Sequence, residues 1–406
     1  MSAINFYFHD QTVSGPLKST RTYLFWQYFK DQCPYDVSVN TFQHYSYLGE
    51  LDHNSVNIIV VPMNKPYFQH MQLADCVWLE HCYRFDDHSS KNILLLDYSN
   101  ETELPGTFGP REKWHHSINI EFDRFYLTTL ALELFNHNIE MPTAGIFPDW
   151  NFVASVIYER YHKSGGMSEA EKEMVLTYEG KSVPTKFLLP NRVARKHRLD
   201  VIVELHKAGL LNNTQWSMIY PDSSDAHVVV DYSKDHEYFK LFGDKPVYMN
   251  KPLLHWSKDG AAPTSTVQLL PMNKEAYMSY VCVDTYAYAE DRAKIDLPGH
   301  PPRIIDISEK VAKGLAQGIP CFYYGSYASL NWLRNCGLWF PGNYVDVPDN
   351  QLRLDSLVDS MKNFEDVISK ETMQGVMHNR NIILNKKFLY SKCSAFIDFV
   401  HGQYCS

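Results

Sequence analysis

At 406 residues, 45% hydrophobic and 21% charged, the chain is globular rather than disordered and long enough for two domains of ordinary size. No apolar run approaches the roughly 18 residues that cross a bilayer, and the opening Met-Ser-Ala-Ile-Asn-Phe lacks the basic and apolar regions of a secretory signal. The expectation is a cytoplasmic protein with no membrane span, in the host cytoplasm if its source is viral. The net charge of −9 is unevenly divided, with −11 on residues 1–180 and +2 on the remainder. An acidic first half is a poor match for a polyanion, because phosphate neutralisation dominates nucleic-acid affinity. Eight scattered cysteines with no Cys-x-x-Cys spacing argue against both a disulfide scaffold and a zinc site.

The first half reads as strands alternating with helices. Strands are expected at Ile4–His9, Val37–Phe42, Asn57–Pro62 and Asn92–Tyr98, with helices at Lys18–Gln32 and near Arg124–Asn138. The runs Ile58-Ile59-Val60-Val61 and Ile93-Leu94-Leu95-Leu96 suit strands buried on both faces of a parallel sheet. Polar, glycine-containing residues 162–185 form the candidate linker, so the expected domains are 1–175 and 186–406. In the second, the pattern predicts a strand at Lys186–Pro190, a helix at Arg195–Leu211 and strands at Gln215–Ile219 and Tyr277–Thr285. A helix at Ser308–Gln317, a strand at Cys321–Tyr324 and helices over Leu354–Ser369 and much of 371–400 complete it. Such alternation implies doubly wound α/β domains.

Three stretches carry candidate chemistry. Pro190-Asn191-Arg192-Val193-Ala194-Arg195-Lys196-His197-Arg198 runs from a strand into a helix, where open α/β sheets bind ligands. Arg192, Arg195 and Lys196 can surround a diphosphate, and the planar guanidinium pairs two oxygens at once. A solvated helix start is the plain alternative, disfavoured because it places cations at the positive end of the helix dipole. Arg198 and His197 read as structural and packing residues. Val283-Asp284-Thr285-Tyr286 is a second strand end, and Tyr286 can stack on a base. The third opens at Ser308, a potential cap, followed by Glu309 and Lys310, with Gly318 and Pro320 stopping the helix before Cys321–Tyr324. Its N–H groups suit phosphate, Glu309 can accept from ribose or sugar hydroxyls, and Lys310 can reach a phosphate. A first turn that simply favours Glu309, with Lys310 solvated, is the alternative.

The Ser308-Glu309-Lys310 segment resembles the donor-binding segment of GT-B glycosyltransferases, most closely the Thr-Glu-Lys motif of bacterial fucosyltransferase-type enzymes. Residues 327–337, Tyr-Ala-Ser-Leu-Asn-Trp-Leu-Arg-Asn-Cys-Gly, are similar to a stretch of uncharacterised phage and bacterial glycosyltransferases. The resemblance covers roughly residues 186–400. It implies two Rossmann-like domains facing each other across a cleft, and transfer of a sugar from a nucleotide-diphosphate sugar to an acceptor hydroxyl. It places Asp284 at a ribose or sugar hydroxyl. It asks the first domain for a base, with Asp10 as first choice and His9 as second; Asp10 serves equally as a helix-preceding cap. No cofactor is implied beyond the donor co-substrate, and no Asp-x-Asp triplet is present to hold a metal on it. The acceptor stays open among glycan, protein and modified DNA base. Two other readings stand: a phage DNA glycosyltransferase acting on hydroxymethylated bases, and a non-catalytic nucleotide-binding protein.

Overall fold

The structure, a computed structural model, describes residues 3–9, 23, 26–27, 29–42, 54–62, 92–97, 125–128, 146–147, 179–180, 185–219, 235–243, 247–249, 277–284, 287, 307 and 309–405. The chain divides into two compact units. One comprises Met1–Tyr158, Lys294–Pro298 and Asn385–Ser406, the other Glu159–Ala293 and Gly299–Leu384.

The first unit holds a six-stranded parallel sheet. Its strands are β1 (Ile4–His9), β2 (Val37–Phe42), β3 (Val56–Pro62), β4 (Asn92–Asp97), β5 (Phe125–Thr128) and β6 (Ile146–Phe147), in the order β2-β1-β3-β4-β5-β6. Alternation assigns the two faces of its centre. Ile4, Phe6, Phe8, Val56, Ile58 and Val60 are buried, and Trp26 stacks on Phe6 with ring centroids 4.6 Å apart. The opposite face carries a polar ladder across three strands. Asn40 Nδ2 donates to Ser38 Oγ at 2.7 Å, Ser38 Oγ to Asn5 Oδ1 at 2.6 Å, and Asn5 Nδ2 to Asn57 Oδ1 at 3.3 Å. The ladder links β2 to β1 and β1 to β3 through side chains, so these polar groups find partners within the sheet.

Residues 125–128 correct an expectation. The apolar spacing around Arg124–Asn138 predicted a helix, but Phe125–Thr128 pairs in parallel with β4. Phe-Tyr-Leu-Thr suits a half-buried pleated surface, and the open edge of β4 supplies the hydrogen bonds that decide between the two.

The second unit holds a five-stranded sheet of β7 (Thr185–Val193), β8 (Thr214–Ile219), β9 (Val247–Met249), β10 (Tyr277–Val283) and β11 (Cys321–Tyr324), in the order β11-β10-β7-β8-β9. All pairings are parallel except β8 with β9. Helix α1 (Lys196–Lys207) ends at Gly209, whose φ of 74° allows Leu210 N to bond Leu205 O and Gly209 N to bond His206 O. After α2 (Glu237–Phe242), α3 (Glu309–Ala316) ends at Gly318, φ 70°. Gly314 lets α3 lie close on the sheet, because a Cβ there would meet the Tyr280 ring and come within 3.3 Å of Cys321 Sγ. The opposite face is aromatic: Phe187 meets Phe322 edge-on at 5.9 Å, and Phe364 meets Phe322 at 5.3 Å. On the free edge of β11, Tyr344 Oη accepts from Tyr323 N at 2.9 Å, which covers one strand donor.

The run at 327–337 builds helix α4 (Ser329–Asn335). The Asp346 carboxylate caps it, accepting from Ala328 N at 3.2 Å and Asn331 N at 2.9 Å, while burial raises the pKa of that carboxyl above its usual range. Arg334 donates to Tyr344 O at 2.9 Å, so this motif packs the fold. Helix α5 (Asn350–Lys362) begins four residues earlier than expected, because the Asp349 carboxylate accepts from Leu352 N at 2.8 Å. Helices α6 (Lys370–Ile383), α7 (Lys386–Cys393) and α8 (Ala395–Val400) follow. Residues 385–406, expected in the second domain, belong with the first unit. There Tyr35 stacks on His401 at 3.9 Å and donates to Asp398 Oδ1 at 2.9 Å, while Tyr390 Oη lies 3.3 Å from Cys33 Sγ.

Gly314→Ala is expected to destabilise the protein by about 1–3 kcal/mol through overpacking against Tyr280. Urea denaturation monitored by circular dichroism reads this, and an unchanged midpoint would show that α3 does not lie on the sheet as described.

Candidate functional site

The second sheet reverses direction at one point. From β7 the chain runs through α1 to β8 on one side, and from β10 through α3 to β11 on the other. Crossovers leaving in opposite directions part the loops at the carboxyl ends of β7 and β10, the position where open α/β sheets bind ligands. The first two sequence constellations, 190–198 and 283–286, meet there.

Asp284 joins them. It follows β10 and is 1% exposed. Its carbonyl oxygen accepts from His197 Nε2 and Arg198 Nη2, each at 3.1 Å, both from the first turn of α1. Its amide donates to Tyr324 O at 2.9 Å, and its carboxylate Oδ2 accepts from Tyr323 Oη at 3.0 Å. Glycine at 325 leaves room for that phenol, since a Cβ there would meet the Tyr323 ring. Three residues on, Ala287 O accepts from Arg353 Nη2 at 2.5 Å. Arg353, buried on α5, also donates to Asn350 Oδ1 at 3.1 Å and lies 5.3 Å over the Tyr324 ring. The segment leaving β10 is therefore held at both ends.

The other residues singled out from sequence distribute around this point. Arg195 is half-buried and stands at the N-cap of α1 without capping it, and exposed Lys196 pairs with Asp200 at 3.2 Å. Arg192 lies within β7 near its carboxyl end, Glu309 is the first residue of α3, and His9 is the last of β1; their side chains lie outside the described residues. Asp10, Tyr286 and Ser308 also lie outside them. Lys310 is half-buried, and its charge partly offsets the influence of burial and of Asp284 on the Cys282 thiol. In the first sheet the order β2-β1-β3 places its own reversal at the carboxyl end of β1, where His9 sits.

No protein-family profile matches the chain, and no curated protein does. Among solved structures, that of the wall teichoic acid polymerase TagF soaked with CDPG aligns over 99% of this chain and 89% of its own, at 12% identity and a TM-score of 0.32. That score is too low to establish a common fold, and the architecture described here rests on the strand orders.

Behind the site lies a buried layer of Tyr280, Cys282 and Cys321. Burial pushes their pKa values up, and the Asp284 charge adds to the effect. Burial therefore favours the protonated form of both thiols near neutral pH. Two contributors were not singled out from sequence. Tyr323 sat inside a run read only as an apolar strand, and Asn191 sat between more conspicuous residues; a polar residue at the end of such a strand was the available signal.

Two measurements probe this arrangement. Tyr323→Phe removes a donor from a buried carboxylate and is expected to cost about 1–3 kcal/mol in urea unfolding; no loss would mean that water replaces the phenol. Native protein at about pH 8 should leave Cys282 and Cys321 unlabelled by iodoacetamide until denaturant is added, and their rapid labelling in the folded state would contradict the buried layer.

Proposed function

We propose that the chain is a metal-independent glycosyltransferase of GT-B type that moves a hexosyl or pentosyl group from a nucleotide-diphosphate sugar to an acceptor hydroxyl. The observation that carries this reading is the topology: α1, which begins with Arg195 and Lys196, follows β7, and α3, which begins with Glu309 and Lys310, comes between β10 and β11, on either side of the sheet's reversal point. The Ser308-Glu309-Lys310 resemblance supports it. As the acceptor oxygen attacks the anomeric carbon, the bond from that carbon to the phosphate oxygen breaks and charge gathers on the leaving diphosphate. Arg192, Arg195, Lys196, Lys310 and the helix ends stabilise that charge. Glu309 and Ser308 hold ribose or sugar hydroxyls. Asp284 forms the floor of the donor pocket, with Tyr286 against the base. Asp10, with His9 as second choice, takes the proton of the acceptor hydroxyl. The net charge of −11 on residues 1–180 disfavours a DNA acceptor.

A thermal-shift panel of UDP, GDP, CMP, dTDP and ADP tests the donor site on wild type, Glu309→Ala and Lys310→Ala. One nucleotide should raise the melting temperature, because a ligand that binds only the folded state stabilises it, and both variants should lose most of that rise. No rise with any of the five would remove the reading. A rise without transfer of sugar from the matching donor would leave a nucleotide-binding protein.

A further inference from the structure

The end of β7 holds a buried polar group that the fold leaves unused. Asn191 is 3% exposed, and its Nδ2 has no hydrogen-bond partner among the described residues. Its backbone is anchored, since Ser217 Oγ donates to its carbonyl at 3.0 Å. A buried amide donor without a partner destabilises the folded state, and packing alone would be served as well by leucine, which has nearly the same shape. Asn191 lies one residue before Arg192, where the register with β8 shifts between Pro190 and Val193. Shifts of this kind re-aim side chains and gather beside binding sites.

We propose that Asn191 is a specificity-determining residue of the switch-point site, its amide N–H donating to a phosphate oxygen of the bound nucleotide. This rests on the proposed function and adds to it a neutral donor within the cationic set, one that an oxygen acceptor satisfies and a donor group on the ligand does not. The same side chain is therefore a liability in the empty protein and a contact in the bound one. Removing it should move stability and affinity in opposite directions, which a purely structural asparagine would not do.

The test measures melting temperature without ligand and, by calorimetry, the affinity for whichever of UDP, GDP, CMP, dTDP and ADP stabilises the wild type most. Asn191→Leu is expected to melt at or above the wild-type temperature while binding roughly 10- to 100-fold more weakly. A leucine variant that binds as tightly as wild type overturns the proposal. If leucine distorts the strand and lowers the melting temperature, Asn191→Ala carries the affinity measurement without added bulk, and equal affinity there overturns it too. A wild type that binds none of the five overturns the functional reading and this inference with it, whereas binding by wild type and variants alike overturns this inference alone.

Discussion

The second unit depends on how the chain is held at Asp284, where it leaves β10. Within that one residue the amide, the carbonyl and the carboxylate are each engaged, by Tyr324 O, by His197 and Arg198, and by Tyr323 Oη. Burying a carboxylate is costly unless hydrogen bonds replace its water, so this residue is stable only while β10, β11 and the first turn of α1 keep their places. The dependence runs in both directions. Because α1 is tied to the end of β10, the turn from β7 that carries Arg192 and Arg195 is held beside it. A turn braced across two strand ends is preorganised, which the proposed donor site calls for.

The sheet divides its faces to make that bracing possible. On one side Gly314 lets α3 approach Tyr280 and Cys321 closely. On the other, Phe187, Phe322 and Phe364 form an aromatic core, and Lys186, at the amino end of β7, bonds Phe364 O and Asp366. Apolar packing thus fills the middle of the sheet and polar anchoring sits at its ends. Arg353 follows the same division, its guanidinium spread over three carbonyl and amide oxygens and the Tyr324 ring.

Much of this was legible in the sequence wherever one local signal dominated. Short apolar-rich runs marked β1, β2 and β11 to the residue, and Gly209 and Gly318 marked the ends of α1 and α3 because only a left-handed residue closes those helices cheaply. Where the deciding partner was distant in sequence, local signals misled or were silent. Phe125–Thr128 became a strand because β4 offered an edge, and no local signal announced α4, which starts where a carboxylate 15 residues downstream caps Asn331, or the grouping of residues 385–406 with the first unit through Tyr35 and Cys33. For the site, residue type and position at strand ends identified the stretches that meet, but not the contact that joins them. A backbone carbonyl accepting from two side chains 86 and 87 residues away leaves no trace in composition or spacing.

The case for a ligand at this edge is strengthened by where the chain departs from its own rules. Helices α2, α5, α6 and α7 each begin with a side chain that caps a backbone amide, α4 borrows the carboxylate of Asp346, and α8 begins uncapped at Ser394. Helix α1 begins instead with Arg195, which caps nothing, and Lys196, two cations where the dipole favours an anion. Just upstream, β7 slips register against β8 and buries an amide donor without a partner among the described residues at Asn191. The register slip, the uncapped cationic start and Asn191 fall together within residues 190–196. Local conflicts scattered over a chain are noise, but conflicts packed into one strand–helix turn at the sheet's reversal point share a resolution. An oxygen acceptor of the proposed nucleotide, seated at that turn, would answer the helix dipole and the amide that has no partner among the described residues.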